Sequence, residues 1–314
     1  MKRRAKIAMM YALLILGFVL LVKGADFFVE GSSSVARRFK IPSVVVGLTI
    51  VAMGTSAPEA AVSVTASLAG NNDIALSNVI GSNIFNLLVV IGTCSIMKGV
   101  DTPTDILKRD LPTNIAATAL LLLFISNKII SRLEGIILLV CVMVYLIVVV
   151  KHALKNRTKD EEGDEILSPI LSVIYIIGGL CAIVIGGDLV VDNASLIAVT
   201  FGLSETLVGL TIVAMGTSLP ELVTSVVATR KGETGLALGN AVGSCLLNVL
   251  FILGISAALS PINGSVEAII DAAILLFITI LSYIFARSDA KTLRREGIVC
   301  LVLYVLYMIY VIIR

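Results

Sequence analysis

An internal duplication constrains this chain more than any other feature of its sequence. Residues 46–59 read VGLTIVAMGTSAPE and residues 208–221 read VGLTIVAMGTSLPE, so that 13 of 14 positions agree at an offset of 162. The same offset aligns ALSNVIGSNIFN at 75–86 with ALGNAVGSCLLN at 237–248. Chance similarity between two apolar segments would match leucines and valines, but not Gly-Thr-Ser, Pro-Glu and Gly-Ser. The chain is therefore predicted to consist of two related halves.

The composition indicates that both halves lie in a membrane. Of the 314 residues, 58% are hydrophobic and 15% are charged, and the mean hydropathy is +1.04. Soluble domains carry about 25% charged residues, so too few remain here to cover a water-facing surface. The same figures exclude a disordered chain and a disulfide-stapled secreted domain. The lipid bilayer is the expected partner: a net charge of +2 argues against nucleic acid, and nothing indicates an obligate protein partner.

Apolar stretches of about 20 residues, the length that crosses the hydrocarbon core, recur five times in each half. The predicted fold is an all-α polytopic membrane protein with ten transmembrane helices. Its predicted spans are 7–30, 43–69, 74–97, 111–127, 133–151, 169–195, 204–229, 235–259, 266–286 and 296–313. The predicted division is a first repeat at 1–154, a polar linker at 155–168 and a second repeat at 169–314.

The number of spans in each half decides how the halves are oriented. Five is odd, so the second half must enter the membrane from the opposite side, which makes the repeats inverted. Loops after spans 1, 3, 5, 7 and 9 carry 16 Lys and Arg residues, against 7 in the other loops and the termini. Because cytoplasmic loops are rich in Lys and Arg, the linker is predicted to be cytoplasmic in the cell membrane and both termini outside. The basic residues near the N-terminus oppose this orientation.

Two glutamates lie where a span should be apolar. Glu59 and Glu221 occupy equivalent positions deep in the second and seventh spans. A carboxylate at the bilayer centre costs about 2.5–3.5 kcal/mol on insertion scales, so such residues are functional by default. Pro58 and Pro220 lack an N–H, so each helix is predicted to break beside its glutamate. Broken helices at this depth are tolerated only where they line a cavity or are buried in protein.

Further oxygen ligands accompany each glutamate. The breaks free backbone carbonyls near Thr55 and Thr217, which precede the glutamates by four residues and are expected to share a helix face with them. Ser and Asn in membrane helices often serve only as hydrogen-bonding glue, but their duplication beside the glutamates favours a ligand role. The third and eighth spans place these hydroxyl and amide oxygens four residues apart, at Ser82, Asn86, Ser244 and Asn248.

Charge and ligand type narrow the choice of ion. Two carboxylates neutralise one Ca²⁺, which accepts six to eight oxygens at flexible geometry, whereas Mg²⁺ dehydrates reluctantly. One histidine and five cysteines without paired spacing leave no site for a softer metal. Na⁺ takes the same ligand types and could compete for the cavity, and protons could compete for the glutamates. Inverted repeats with paired broken helices are typical of alternating-access carriers.

The motifs GTSAPE and GTSLPE, followed by GSNIFN and GSCLLN, resemble those of the cation/calcium exchanger superfamily. The resemblance is closest to sodium/calcium exchangers of the prokaryotic type and covers nearly the whole chain. It implies secondary antiport of Ca²⁺ against several Na⁺, with the ions held between helices 2, 3, 7 and 8. Ca²⁺ and Na⁺ are then the transported ions, and no prosthetic group is expected.

The resemblance also implies a role for each matching position. Glu59 and Glu221 match the central acidic ligands, which Ca²⁺ and Na⁺ share. Thr55 and Thr217 match residues that offer backbone carbonyls to Ca²⁺. Two flanking Na⁺ sites are matched by Ala52, Ser56 and Ser82 and by Ala214, Ser218 and Ser244.

Neutral residues in the middle of the pocket distinguish this chain from some relatives. Asn86 and Asn248 match positions lining the middle, and some archaeal relatives carry Asp at the position of Asn248. An acid there is associated with potassium-dependent members, so K⁺ dependence is not expected. The difference leaves open the number of Na⁺ ions bound and any coupling to protons.

Acidic residues also recur in the first and sixth spans. The offset of 162 pairs Asp26 with Asp188, and Glu30 with Asp192. Asp26 and Asp188 are predicted to serve the structure or an access vestibule rather than to bind ions directly.

Several classes of function compete. The leading hypothesis is an electrogenic antiporter in which Na⁺ drives Ca²⁺ transport, with antiport of Ca²⁺, or of another divalent cation, against H⁺ as the alternative. A cation channel could use a ring of glutamates, but such rings usually form in symmetric oligomers around one axis. An enzyme is not expected, because the sequence has no HExxH, GxSxG or Walker A motif.

Overall fold

The computed structural model describes residues 2–155, 166–203, 212 and 214–314. Helices dominate both halves, and each half also contains two strands of two residues. The first half comprises α1 (Lys2–Phe39), α2 (Ser43–Val46), α3 (Ala52–Thr55), α4 (Ala57–Leu68), α5 (Asn72–Phe85), α6 (Ile91–Lys98), β1 (Val100–Asp101), α7 (Leu111–Ile125), β2 (Ile129–Ile130) and α8 (Arg132–Lys155), with π-helical turns at Gly47–Val51, Asn86–Val90 and Ile106–Asp110.

The described part of the second half follows the same order. It comprises α9 (Pro169–Thr200), α10 (Ala214–Gly216), α11 (Leu219–Arg230), α12 (Thr234–Leu247), α13 (Leu253–Leu259), β3 (Ile262–Asn263), α14 (Val266–Ser288), β4 (Lys291–Thr292) and α15 (Arg294–Ile313), with a π-helical turn at Asn248–Ile252.

The chain is a mostly helical, multi-pass membrane protein. Within the described residues, seven helices are long and apolar enough to cross a bilayer. An eighth candidate is the pair Ser43–Thr55 and Ala57–Leu68, which is bent by 49° at the break between them. Leu, Ile, Val and Phe side chains cover the outward faces of these helices, as expected for surfaces in contact with lipid.

Most helices lie where the sequence predicts them, and the first is longer than expected. It runs over Lys2–Phe39 rather than 7–30, and beyond residue 30 its basic residues have partners: Arg37 pairs with Glu233 at 3.4 Å, and Arg38 donates to the carbonyl of Leu167 at 2.9 Å. Parts of two predicted segments lie outside the described residues: 156–165 of the linker, and 204–211 with 213 of the seventh span.

The two longest helices, α1 and α9, pack against each other through glycines. A Cβ atom at Gly24 would lie 2.8 Å from the carbonyl oxygen of Gly179, and one at Gly17 would lie 2.9 Å from that of Gly186. The offset of 162 relates Gly17 to Gly179 and Gly24 to Gly186, so the contact is reciprocal. Small residues bring membrane helices into close contact where lipid supplies no hydrophobic driving force.

Short strands join the halves in two equivalent places. Strand β1 pairs antiparallel with β4, with Val100 opposite Thr292, and β2 pairs antiparallel with β3, with Ile130 opposite Ile262. The offset of 162 converts one ladder into the other. The repeat in the sequence is therefore also a repeat in space.

The most deeply buried spans are Asp73–Lys98 and Thr234–Leu259, which contain the Ser and Asn residues singled out above. The spans at Arg132–Lys155 and Arg294–Ile313 are far more exposed and lie at the periphery. This arrangement follows from the sequence, because polar side chains in a membrane helix face the bundle interior.

Candidate ion-binding site

Both halves break a helix at the same kind of residue. Ser56 lies between α3 and α4 with φ −82° and ψ 8°, and Ser218 precedes α11 with φ −91° and ψ 4°. In each case a proline follows two residues later, in the first turn of the next helix. Pro58 has no N–H to offer the carbonyl of Gly54, so the helix cannot continue through this point. The predicted breaks beside the glutamates are confirmed at Pro58 and Pro220.

Residues at each break form hydrogen bonds with residues of the other half. The hydroxyl of Ser218 donates to Glu59 Oε1 at 3.0 Å, and the hydroxyl of Ser56 donates to Glu221 Oε1 at 3.0 Å. Both glutamates are completely buried. Each break therefore brings its serine to the carboxylate of the other half, and the two carboxylates belong to one cluster.

A serine from the neighbouring buried helix completes the contacts of each carboxylate. Ser82 of α5 donates to Glu59 Oε1, and Ser244 of α12 donates to Glu221 Oε1, both at 3.4 Å. Four hydroxyls thus converge on two carboxylate oxygens in a pattern that the offset of 162 reproduces. The cluster is polar, and it is shielded from both lipid and water.

Several oxygens of the cluster receive no hydrogen bond from the protein. These buried atoms are Glu59 Oε2, Glu221 Oε2, Asn86 Oδ1 and Asn248 Oδ1. Buried polar atoms are normally paired, and an unpaired buried carboxylate oxygen is especially costly. A cation bound among them would satisfy these oxygens, and this is the chemistry that the arrangement supports best.

Within the described residues, no basic side chain forms an ion pair with either glutamate of the cluster. Among the ion pairs between described residues, none involves Glu59 or Glu221. Nor do three His, Cys, Asp or Glu side chains of the described chain come together as a metal site. Two carboxylates with hydroxyl and amide oxygens form a donor set for a hard cation.

Thr55 and Glu59 do not share a helix face, contrary to the prediction from their spacing. The helix ends at Thr55 and the next begins at Ala57, so the break separates the two residues. Thr217 and Glu221 are separated in the same way, since α10 ends at Gly216 and α11 begins at Leu219. The four-residue rule fails because it assumes a continuous helix.

The threonine hydroxyls reach across to the other half. Thr55 donates to Asn240 Oδ1 at 3.0 Å, and Thr217 donates to Asn78 Oδ1 at 3.4 Å. Asn78 Nδ2 in turn donates to the backbone carbonyl of Glu59 at 3.2 Å, and Asn240 Nδ2 donates to that of Glu221 at 3.4 Å. These asparagines support the backbone beneath each glutamate.

Sequence reasoning missed this supporting layer. Asn78 also donates to the hydroxyl of Ser63 at 2.8 Å, and Asn240 to that of Ser225 at 3.0 Å. The signal was available, because the offset of 162 relates Asn78 to Asn240 and Ser63 to Ser225. A polar residue that recurs in two buried helices needs a polar partner, and these residues are each other's partners.

Equivalent positions of the two halves also meet directly. Asn83 Nδ2 donates to the carbonyl of Cys245 at 3.0 Å, and the Cys245 thiol contacts the carbonyl of Asn83 at 3.8 Å. The offset of 162 relates these two residues, so the pseudo-twofold axis passes between them. Asn248 lies beside this contact and donates to Asn83 Oδ1 at 3.0 Å.

The two central asparagines also mark a change of helix type. The π-helical turns Asn86–Val90 and Asn248–Ile252 begin at these residues. Single π-helical turns within α-helices are frequent at functional sites. Hydrophobic periodicity carries no signal for them, and the sequence analysis did not predict them.

The remaining predicted residues lie at the breaks. Ala52 is buried, and its carbonyl accepts a hydrogen bond from the N–H of Ser56 at 3.0 Å. Ala214 begins α10, and its side chain lies outside the described part of the structure. The structure thus brings both glutamates and four serines into direct contact. The two threonines and Asn248 bind asparagines of the layer around them, whereas neither side-chain atom of Asn86 has a hydrogen-bond partner among the described residues.

A cavity of about 310 Å³ adjoins the breaks on one side. One wall of the cavity is formed by residues that follow the first break, Pro58 among them, and by residues on both sides of the second break, including Thr217 and Pro220. Helix α9 forms the opposite wall with Asp188 and Asp192. The sequence analysis predicted a structural or vestibule role for Asp188, and the structure places that residue at this cavity.

A sequence model of the sodium/calcium exchanger protein family matches the chain twice, at residues 9–151 and 171–313. Together the matches cover both halves of the duplication. The chain belongs to this family. The recognition made from the GTSAPE and GTSLPE motifs is confirmed.

Individual relatives and solved structures are similar to the chain along most of its length. The chain is 30% identical to the sodium/calcium exchanger MaX1 of Methanosarcina acetivorans over 95% of its own length and 97% of that protein. It is 34% identical to the inner membrane protein YrbG of Escherichia coli over 86% of both chains. A solved structure of the sodium-calcium exchanger NCX_Mj, soaked with Na⁺ and Ca²⁺, superposes with a TM-score of 0.84 at 31% identity, covering 95% of this exchanger and 97% of that chain.

Proposed function

We propose that this exchanger carries Ca²⁺ in one direction and Na⁺ in the other through the cluster around Glu59 and Glu221. The observation that carries the proposal is the reciprocal pairing of each buried glutamate with a serine of the other half. A single Ca²⁺ balances both carboxylates, and Na⁺ ions with the serine hydroxyls can do the same. Exchange follows because the cluster holds one kind of ion at a time.

The proposed ligands include every residue predicted from the sequence. The glutamates contribute carboxylate oxygens, the serines contribute hydroxyls, and the break residues contribute backbone carbonyls. The unpaired amide oxygens of the two asparagines complete the shell in the middle. The full set is Glu59, Glu221, Thr55, Thr217, Ser56, Ser218, Ser82, Ser244, Asn86, Asn248, Ala52 and Ala214.

The proposed architecture is ten transmembrane helices in two inverted five-helix repeats. A first repeat at 1–154 and a second at 169–314 are joined by the linker at 155–168. The two strand ladders support this topology, because β1 and β4 follow odd-numbered spans whereas β2 and β3 follow even-numbered spans. Strands that pair must lie on the same side of the membrane, and inverted repeats meet that condition for both ladders.

The proposed orientation rests on loop charge. The face carrying the loops after the odd-numbered spans is richer in Lys and Arg, so it is assigned to the cytoplasm. The linker then lies inside the cell and both termini lie outside.

Alternating access supplies the mechanism. Ions bound near the bilayer midplane between inverted repeats are exposed to one side and then to the other as the repeats exchange conformations. Each net charge that moves across the membrane gains about 2.3 kcal/mol per 100 mV. The sodium gradient and the membrane potential can therefore both drive Ca²⁺.

The test is ⁴⁵Ca²⁺ uptake into proteoliposomes loaded with Na⁺, with Na⁺, K⁺ and pH gradients imposed one at a time. We expect uptake to follow the Na⁺ gradient, to saturate with Ca²⁺ and to be indifferent to K⁺. Uptake that persists without a Na⁺ gradient and follows a pH step would instead identify a Ca²⁺/H⁺ exchanger. Ohmic, non-saturating current without counter-ion dependence would identify a channel.

A further inference from the structure

Two acid pairs related by the internal repeat have different surroundings. The α1 acid pair is Asp26 and Glu30, and the α9 acid pair is Asp188 and Asp192. The offset of 162 relates one pair to the other. If the halves were identical in both sequence and conformation, the two pairs would make equivalent contacts.

The α1 acid pair is held by a lysine from the second half. Lys231 Nζ lies 2.7 Å from Asp26 Oδ1 and 3.2 Å from Glu30 Oε2, and it donates to the backbone carbonyl of Asp26 at 3.1 Å. Arg37 and Glu233 form a further ion pair at 3.4 Å between the same helix and the same loop. The loop between α11 and α12 is thus fastened to α1 by charge.

Lys231 keeps its charge at neutral pH. Partial burial lowers the pKa of Lys231, but its hydrogen bonds to Asp26 and Glu30 outweigh burial and raise the pKa above the ordinary value. Lys231 can therefore act as a cation toward both acids at neutral pH.

The α9 acid pair has no such partner at the equivalent position. Asp188 and Asp192 line the 310 Å³ cavity. The counterpart of Lys231 is Ala69, which has nearly the same backbone geometry, with φ −80° and ψ −2° against φ −75° and ψ −2°. The counterparts of Arg37 and Glu233 are the neutral residues Val199 and Asn71. Side-chain charge, rather than backbone shape, distinguishes the two places.

Side-chain packing also differs between the surroundings of the two acid pairs, and it is closer beside α1. Val29 and Phe28 of α1 are completely buried. The counterpart of Phe28 is the smaller Val190, and the counterpart of Val29 is Val191, which lines the cavity. We call the path from the glutamate cluster to the membrane surface beside α1 the α1 route, and the corresponding path beside α9 the α9 route. The ion pairs and the Phe28 ring close the α1 route, whereas the cavity opens the α9 route.

We propose that Lys231 is an electrostatic latch that holds the α1 route closed and so favours the conformation open beside the α9 acid pair. The proposal rests on the alternating access proposed above. In the opposite conformation Asp26 and Glu30 would line an open cavity, and Asp188 and Asp192 would be enclosed without a cation. The two conformations therefore differ in energy, and the latch must open in every transport cycle.

The exposure of the three side chains limits how strongly the latch favours one conformation over the other. The side chains of Lys231, Asp26 and Glu30 are 31%, 38% and 42% exposed, so solvent screens the pairs and each contributes modestly. We expect loss of the latch to shift the ratio of the two conformations by about three- to tenfold.

The experiment compares two cysteine variants at equivalent positions, Val29→Cys and Val191→Cys. A membrane-impermeant thiol reagent is applied in nanodiscs, where both faces are accessible, and labelling of the parent chain is subtracted as the background of the five native cysteines. With Lys231 intact we expect Val191→Cys to react quickly and Val29→Cys slowly. Adding Lys231→Met should speed labelling of Val29→Cys and slow that of Val191→Cys. An unchanged ratio of the two rates would overturn the latch.

Two further variants separate the charge of Lys231 from its bulk. Lys231→Arg should preserve the labelling ratio because it retains the cation. Lys108→Met, at an exposed lysine on the same face, should also leave it unchanged. A shift in the Lys108→Met variant equal to that of Lys231→Met would contradict the proposal.

The latch should also be transferable to the other route. Ala69→Lys combined with Lys231→Met places the cation opposite the α9 acid pair, and we expect the labelling preference to reverse. Failure of this double variant to alter the ratio would count against the charge mechanism even if Lys231→Met behaved as expected. Sodium-driven ⁴⁵Ca²⁺ uptake, measured on the same preparations, reports the proposed function separately. An inactive parent refutes the exchange proposal, whereas an active parent with an unchanged labelling ratio refutes only the latch.

Discussion

At the scale of single residues, the unusual feature is a pair of buried carboxylates that form no ion pair with any described basic residue. Each one accepts hydrogen bonds through a single oxygen, Oε1, from serines of both halves. The second carboxylate oxygen, Oε2, of Glu59 and of Glu221 accepts no hydrogen bond from the protein and is available to a bound ion. An arrangement that is costly when empty and neutral when filled favours strong binding of a cation.

Replacing either glutamate by its amide should remove transport and leave the fold intact. Glu59→Gln and Glu221→Gln keep the shape of the side chain but lose the charge that balances Ca²⁺. Removing one partner of a buried charge pair costs about 3–5 kcal/mol, so we expect Na⁺-driven Ca²⁺ uptake to fall by at least about a hundredfold. Thermal melting should be unchanged or higher, and exposed Glu267→Gln is the control. Uptake near the parent rate in either variant would refute the site assignment.

The hydroxyls of serine and threonine should have separable effects. Ser56→Ala removes a hydrogen bond to a charged group, worth about 1.5–3 kcal/mol, so we expect the half-saturating Na⁺ concentration to rise about tenfold or more. Thr55→Val removes a bond to the neutral Asn240, so we expect it to lower stability by about 1 kcal/mol while ion affinity changes little. Ion titration of uptake and thermal melting distinguish the two outcomes. Equal losses of ion affinity in both variants would show that the Thr55 hydroxyl is itself a ligand.

At the scale of helices, the duplicated breaks position the site. In a continuous helix, Ser56 and Glu59 would lie at different heights along a single axis, and all backbone N–H and C=O groups between them would pair within the helix. The 49° bend at the break instead turns the serine toward the other half and places the glutamate in the first turn of α4. Negative side chains are favoured in the first turn of a helix by the helix dipole, which makes this position less costly for a carboxylate.

Restoring the missing N–H should impair exchange. Pro58→Ala allows a hydrogen bond to the Gly54 carbonyl and favours a straighter helix, so we expect a large drop in turnover. Pro169→Ala is the matched control, because Pro169 begins α9, where an N–H has no partner within the helix. The measurement is the initial rate of Na⁺-driven Ca²⁺ uptake at matched protein density. Equal rates in the two variants would mean that the bend does not depend on the proline.

Neighbouring glycines of α9 offer a test of helix contact. A Cβ atom at Gly179 would lie 2.7 Å from the carbonyl oxygen of Gly24, whereas one at Gly178 would meet nothing within 4 Å. We expect Gly179→Ala to destabilise the protein by about 1–3 kcal/mol and to slow transport. Gly178→Ala should be neutral or slightly stabilising, since alanine is the better helix former. Thermal melting in detergent checks both, and a destabilised Gly178→Ala variant would argue against the close α1–α9 contact as the cause.

At the scale of the whole molecule, two halves of similar sequence have different surroundings beside α1 and beside α9. The strand ladders, the Asn83–Cys245 contact and the serine–glutamate pairs obey the internal twofold relation. The cavity beside α9 and the ion pairs beside α1 do not. Approximate symmetry around the ions combined with asymmetry along the access routes is the arrangement that alternating access requires.

The proposed membrane orientation can be tested directly. With ten spans both termini lie on one face and the linker on the other. We expect a reporter fused after Arg314 to be active outside the cell and one inserted within 155–168 to be active inside. Reporters with the same activity at both positions would require an even number of spans between them and would refute the ten-helix topology.

How much of this could be read from the sequence depends on the range over which residues interact. Hydropathy and the repeat predicted the apolar spans, the two related halves and the exchanger family. Prolines and glutamates at equivalent positions also predicted both breaks and the acidic core of the site, because these signals are local. Asn78 and Asn240 were missed although they recur, since nothing near them in the chain indicates what they bind.

Tertiary structure alone decided which residues meet. Ser56 and Glu221 are 165 positions apart, and Lys231 and Asp26 are 205 apart, so no local pattern relates them. The separation of Thr55 from Glu59 by the break also depended on the packed structure, because their spacing alone favoured a shared face. Composition and periodicity report what a helix presents to its surroundings. The pairing of side chains depends on how helices from both halves pack, and so does the difference between the open and closed routes.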